Sequence, residues 1–164
     1  MTFIQENQDP LIRAYSSSDK DRVLNLFRLN TPAYFSPKEQ DDLEYYLESE
    51  IESYYVIEMS GKVVGSGGLN FSDDKTRGVI SWDIIHPGFQ RRSLGSALLK
   101  FRIREIQKII GVKSITVRTS QLVYRFYEKQ GFRTTEVVED YWDKGFHLYK
   151  MELHGFQPQL PGAL

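Results

Sequence analysis

The stretch Trp82–Phe101, WDIIHPGFQRRSLGSALLKF, decides the reading of this chain. It runs from a short apolar strand, through a His86-Pro87-Gly88 break and a polar loop with two arginines, into a helix that opens at Gly95. In that order, strand, loop and helix start build a main-chain cradle for an anion. The first N–H groups of the helix have no carbonyl partner within it and point back into the loop, and the helix dipole makes that end mildly positive. Arg91 and Arg92 add full charges beside it, and Ser93, Gly95 and Ser96 are small enough to let a ligand approach the backbone. A phosphorylated ligand is expected there.

Upstream, Leu11 to Tyr15 reads as a strand, and Ser18-Asp19 offers a helix cap before Val23, Leu26, Phe27 and Asn30. Ser36-Pro37 opens a second helix with the apolar stripe Leu43, Tyr46, Leu47 and Ile51. Tyr54 to Met59 and Lys62 to Phe71 form a hairpin about Ser60-Gly61, and Arg77 to Ile85 is the central strand. Downstream, Leu99, Ile103, Ile106 and Ile110 share one helix face, and Gly111 stops that helix. Ser114 to Thr119 is a strand, Gln121 to Gln130 a helix capped by Gly131, and Thr134 to Trp142 with Phe146 to Leu153 a closing hairpin. The order β-α-α-β-β-β-α-β-α-β-β predicts a mixed sheet with helices on its faces.

At 164 residues the chain fits one domain, read as an extension over 1–10, a domain over 11–153 and a tail over 154–164. With 40% hydrophobic residues, ten Tyr and ten Phe, the composition is that of a packed globular protein rather than a disordered one. A net charge of −1 gives no global field to gather nucleic acid or an anionic membrane, so neither is an expected partner. The basic residues Arg91, Arg92, Lys100, Arg102, Arg104 and Lys108 are the one weak argument for nucleic acid. No cysteine is present, which removes a thiol nucleophile and a Cys-linked acyl intermediate. Three scattered histidines suggest no metal site, and with no leader or spanning segment the expected location is the cytoplasm.

The element order, the HPGFQRRSLGSALL segment and the later FYEKQGF segment together resemble the GNAT superfamily of acyl-CoA-dependent N-acyltransferases, across nearly all of residues 11 to 153. The resemblance implies an α/β (α+β) fold with a mostly antiparallel sheet of about seven strands flanked by four helices. It also implies an N-acetyltransferase that moves acetyl from acetyl-CoA to a primary amine, with no metal, and a dimeric arrangement common in the family. That family holds the pyrophosphate of coenzyme A on a loop of pattern Gln/Arg-x-x-Gly-x-Gly/Ala. Gln90-Arg91-Arg92-Ser93-Leu94-Gly95 matches it at Gln90 and Gly95, with Ser93 where Gly is usual. A positive φ at Ser93 would strain the loop by about 1 kcal/mol or more. The implied coenzyme A surface comprises Ile84, Ile85, His86, Gln90, Arg91, Arg92, Ser93, Leu94, Gly95, Ser96, Ser120, Tyr124 and Tyr127, with Ser120 standing where the family usually has Asn.

Acyl transfer needs a fixed donor for the charge that grows on the thioester oxygen. The resemblance assigns this to a backbone N–H freed by a strand bulge, at or near Ile85. A primary amine must also shed a proton, at a cost of roughly 4 to 5 kcal/mol at pH 7 without help. Asp83 is the candidate base, set against the plain reading that it pairs within the sheet, and Tyr127 is the candidate acid for the departing thiolate. His86 reads as a turn residue, and Gly65-Ser66-Gly67-Gly68 as a strand approached closely. Glu39, Asp41, Asp42, Glu44, Glu48, Glu50 and Glu52 make the second helix and its exit acidic, either as a solvated face or as a rim attracting a cationic amine. Neighbouring tyrosines could line its pocket. The competing function is a non-catalytic acyl-CoA sensor or interaction module on the same fold.

Overall fold

A computed structural model describes residues 9–157. The sequence readings for the first eight residues and for the end of the tail lie outside them. Seven strands form one sheet in the order β1-β2-β3-β4-β5-β7-β6: β1 Leu11–Ala14, β2 Ser53–Met59, β3 Lys62–Phe71, β4 Arg77–Ile85, β5 Ser114–Thr119, β6 Arg133–Asp143 and β7 Phe146–Leu153. Every neighbouring pair is antiparallel except β4 and β5. Four helices, α1 Lys20–Leu29, α2 Gln40–Tyr45, α3 Leu94–Gln107 and α4 Tyr124–Lys129, complete the expected fold.

The helices divide between the two faces of the sheet. Val23, Leu24, Leu26 and Phe27 of α1 and Leu43 of α2, with Tyr46 and Leu47 just beyond, pack on Tyr54, Val56 and Ile84. On the other face Leu99 and Ile106 of α3 and Tyr127 of α4 pack with Ile80, Ile115, Val117 and Met151. A capping box closes the approach to α1 through Ser16 and Asp19, two residues earlier than the Ser18 expected. Arg13 locks that corner with hydrogen bonds of 2.8 and 2.9 Å to Asp19. The expected helix face continuing to Ile110 is corrected: α3 ends at Gln107 and Ile110 is 83% exposed. The chain unwinds there to bury Val112 instead, and a further helical turn would carry that residue away from the core.

Two irregularities set up the site. β4 pairs with β5 only from Arg77 opposite Ser114 to Ile80 opposite Val117, after which the parallel strands part. On its other edge β4 carries a bulge: Ser66 faces Ile84 and Gly68 faces Ser81, so Trp82 and Asp83 together oppose the single residue Gly67. The bulge expected at or near Ile85 is thus corrected to Trp82–Asp83, where Trp82 takes a φ of 49°. The Tyr54 hydroxyl holds the Trp82 carbonyl at 3.0 Å, and the indole packs among Phe27, Phe35 and Tyr46. Large aromatic neighbours on the helical face stabilise the extra residue there.

Candidate active site

Because side chains alternate along a strand, one extra residue reverses the facing of all that follow. Ile80 packs under α3, yet Ile84, four residues on, packs under α1 and α2. Asp83, the second residue of the bulge, and Ile85 beyond it share the α3 face, Ile85 against Leu94 and Leu98. Asp83 meets Arg102 there: Nη1 lies 2.5 Å from Oδ1 and Nη2 2.9 Å from Oδ2. The Tyr127 hydroxyl from α4 donates to Asp83 Oδ2 at 2.5 Å. Arg102 is fully buried and also donates to the Gly68 carbonyl at 2.9 Å. A side chain at Gly67 would run into Asp83 and Arg102, which explains the glycine run: internal side chains approach this strand. Burial, with the adjacent Asp83 charge, holds the Tyr127 phenol protonated, well above its ordinary pKa.

Of the two readings for Asp83, the ion pair is the one the geometry displays, with both carboxylate oxygens engaged. Arg102 was overlooked as a site residue, although its place in the Leu98–Arg102–Ile106 stripe put a charge on an apolar face. Its burial also removes it from the basic surface considered for nucleic acid.

The loop before α3 turns on two left-handed residues and leaves the helix start uncapped. Arg91 and Ser93 both have positive φ, 64° and 61°, and α3 starts with no side-chain cap bond from Ser93. Its first-turn N–H groups therefore stay directed at the loop. A cleft of about 590 Å³ is lined by Ile84, Ile85, Gln90, Arg91, Ser93, Leu94, Gly95, Ser96 and Tyr127. Four other candidates sit elsewhere: Arg92 stacks on Phe89 with its guanidinium 5.1 Å from the ring, His86 accepts from the Gly88 N–H, Tyr124 stacks on Tyr149, and Ser120 lines a second cavity. Gln90 turns its side chain inward, toward Asn30 and the Ile85 carbonyl.

That second cavity, about 730 Å³, opens on the α2 side of the sheet, and both cavities reach Asp83 and Tyr127. Tyr34, Phe35, Tyr45, Tyr46 and Trp82 contribute aromatic surface to it, and Glu39, Asp42, Glu50 and Glu52 contribute carboxylates. Asp41, Glu44 and Glu48 lie off the cavity and are plain surface residues, Glu48 paired with Lys20. Burial pushes the Glu39 carboxyl up to about 7, against the opposing pull of the Ser36 N–H it accepts.

Residues 21–132 match the model of the acetyltransferase (GNAT) family. The chain belongs to that family. An amino-acid acetyltransferase of Pasteurella multocida is 28% identical over 143 residues, 84% of this chain; the chain spans only 30% of that relative's length. The fold matches the ribosomal-protein-S18-alanine N-acetyltransferase of Escherichia coli with a TM-score of 0.74, at 16% identity over 95% of this chain and 99% of the other. It also matches an aminoglycoside 6'-N-acetyltransferase complexed with coenzyme A, with a TM-score of 0.72 and 15% identity over 91% of this chain and 99% of that one. Among the described residues no helix is long and apolar enough to cross a membrane, and no cluster of His, Asp or Glu is grouped to hold a metal ion.

Proposed function

We propose that this chain transfers an acetyl group from acetyl-CoA to a primary amine by direct attack, with both substrates bound at once. The observation that carries the reading is the meeting of a phosphate-suited cleft and an acidic, aromatic cavity at Asp83 and Tyr127, beside the gap between β4 and β5. Acetyl-CoA supplies the acetyl group activated as a thioester. The loop from Arg91 to Ser96 binds its diphosphate through main-chain N–H groups, and the Ile85 N–H meets the carbonyl oxygen as charge develops on it.

As the thiolate departs, the Tyr127 hydroxyl turns its one proton from Asp83 to the sulfur and donates a hydrogen bond to it. Full proton transfer is uphill from a phenol held above its ordinary range to a thiol near 8.5, so stabilisation by the hydrogen bond is its contribution. Asp83, fixed by Arg102, holds that hydroxyl in the resting site until the thiolate competes for its proton. Glu39 is the carboxylate in the acceptor cavity whose proton affinity suits it to take the ammonium proton near neutral pH, directly or through solvent.

The carboxylate-lined cavity favours an acceptor that arrives as a cation. Arg118, held by the Tyr141 hydroxyl and stacked 4.9 and 5.2 Å from the Tyr141 and Trp142 rings, lines the same cavity and has no carboxylate partner among the described residues. It is suited to an acceptor carboxylate, in keeping with the name of the Pasteurella relative. The test is CoA release from acetyl-CoA with polyamines, amino acids, their amides and basic peptides. Amines carrying both a second cation and a carboxylate are expected to lead. A ranking led by neutral amines overturns the electrostatic proposal. CoA binding with no release from any amine overturns the enzymatic reading in favour of a non-catalytic acyl-CoA-binding module.

A further inference from the structure

At Ile85 the sheet runs out on one side. His86 donates its N–H to the Val64 carbonyl at 2.8 Å, so by strand alternation the N–H and C=O of Ile85 face the opposite edge, where β5 has parted from β4. A carbonyl there needs donors from elsewhere. Two side-chain amides supply them, Asn30 Nδ2 at 3.1 Å and Gln90 Nε2 at 3.2 Å. Gln90 Nε2 also donates to Asn30 Oδ1 at 3.1 Å, Asn30 Nδ2 to the Leu26 carbonyl at 2.8 Å, and the Tyr34 hydroxyl to Gln90 Oε1 at 3.2 Å. Asn30 is 2% exposed. It follows the last residue of α1 with a φ of −99°, so the left-handed turn that often favours Asn after a helix does not account for it. Its side-chain amide makes good the missing strand.

We propose that Asn30 is a positioning residue for acetyl transfer and acts through Ile85: with Gln90 it fixes the Ile85–His86 peptide by its carbonyl, which pins the Ile85 backbone and so holds the Ile85 N–H, one peptide earlier on the same edge, in place for the thioester oxygen. This rests on the reading of Ile85 as the oxyanion donor. The network also joins the entrance of the phosphate loop to Tyr34, which lines both cavities, so the donor is set from the cofactor side and the acceptor side together. A misplacement of the donor lowers the rate of the chemical step while the diphosphate contacts stay intact.

Asn30→Asp keeps the shape but removes the donor to both carbonyls; Gln90→Leu, at a less buried position, removes one donor and provides the decision if the first variant does not fold. The readouts, on variants with a native unfolding transition, are kcat and the Kd for CoA, together with the infrared stretch of bound carbonyl-13C acetyl-CoA. The expected result is a kcat reduced about 20-fold in Asn30→Asp and about 5-fold in Gln90→Leu. CoA Kd stays within twofold, and the carbonyl stretch returns toward its value in water. Unchanged kcat and an unchanged stretch in a folded variant overturn the proposal. A weakened CoA Kd with unchanged kcat overturns it too, and makes Gln90 a phosphate ligand. If the wild-type protein releases no CoA with any amine, the acetyltransferase reading fails separately; the stretch still decides whether Asn30 sets the Ile85 donor.

Discussion

Three side chains from three elements meet at the candidate site: Asp83 of β4, Arg102 of α3 and Tyr127 of α4. Replacing Tyr127 by Phe removes one hydroxyl and leaves a ring packed on Phe126 and Phe132. Turnover is expected to fall about tenfold, the range of one lost transition-state hydrogen bond, with CoA affinity unchanged. Steady-state kinetics beside CoA titration check this, and unchanged turnover would remove Tyr127 from the mechanism. Arg102→Met leaves the Asp83 carboxylate without its cation at a mostly buried position. A loss of about 3–5 kcal/mol in urea unfolding is expected, much more than for an exposed arginine. Glu39→Gln keeps an acceptor for the Ser36 N–H but no longer titrates. If Glu39 takes the amine proton, the limb near pH 7 in kcat/KM disappears in this variant.

Among the elements, the loop between β4 and α3 was the most legible part of the chain. Its break after β4 and the start of α3 were readable from the His86-Pro87-Gly88 run and the small residues that follow, and the strain foreseen for Ser93 is present as a left-handed conformation. Ser93→Gly is expected to stabilise the protein by up to about 1 kcal/mol, read as a rise in thermal midpoint, with coenzyme A binding retained. The boundaries of β3, β4, β5 and β7 also agreed with the periodicity, because each alternates or is framed by Gly, Asp or Pro. The extent of α3 did not: the 3.6-residue period at Ile110 continued, but the underlying sheet that rewards burial did not. The bulge position was hidden as well. Nothing local in SWDII marks Trp82 for positive φ, and its conformation depends on Tyr54, Phe27 and Phe35 from distant segments. Asn30 reads in the sequence only as a position on the first helix, since its partners in the site lie 55 and 60 residues away.

Across the whole molecule, pH acts through carboxylates whose proton affinities differ between the folded and unfolded chain. Glu39, raised from 4.5 to about 7, binds its proton more tightly when folded. Its contribution to stability is full below pH 4.5 and is lost as pH rises through about 7. Asp19, lowered to about 2 first by its hydrogen bond from Arg13, works in the opposite sense: its contribution is present above 3.8 and lost as pH falls through about 2. Urea midpoints measured between pH 4 and 8 should therefore decline toward the alkaline end in the wild type. They should decline less in Glu39→Gln, by on the order of 1 kcal/mol at pH 8.

The single surplus residue in β4 governs which changes this strand can absorb. Any substitution at Trp82 that tolerates the turn leaves the order of inward and outward positions intact. Removal of Trp82 would close the ladder into plain alternation, leaving Asp83 opposite Gly67 and Ile84 opposite Ser66 on the faces they already occupy, and would cost the strand the carbonyl that Tyr54 holds and the indole seated among Phe27, Phe35 and Tyr46. The facing of Asp83 and Ile84 is thus secured by the pairing with β3 on either side, and a shortened graft would keep the order of the layers while forfeiting the aromatic anchor that bends the strand there.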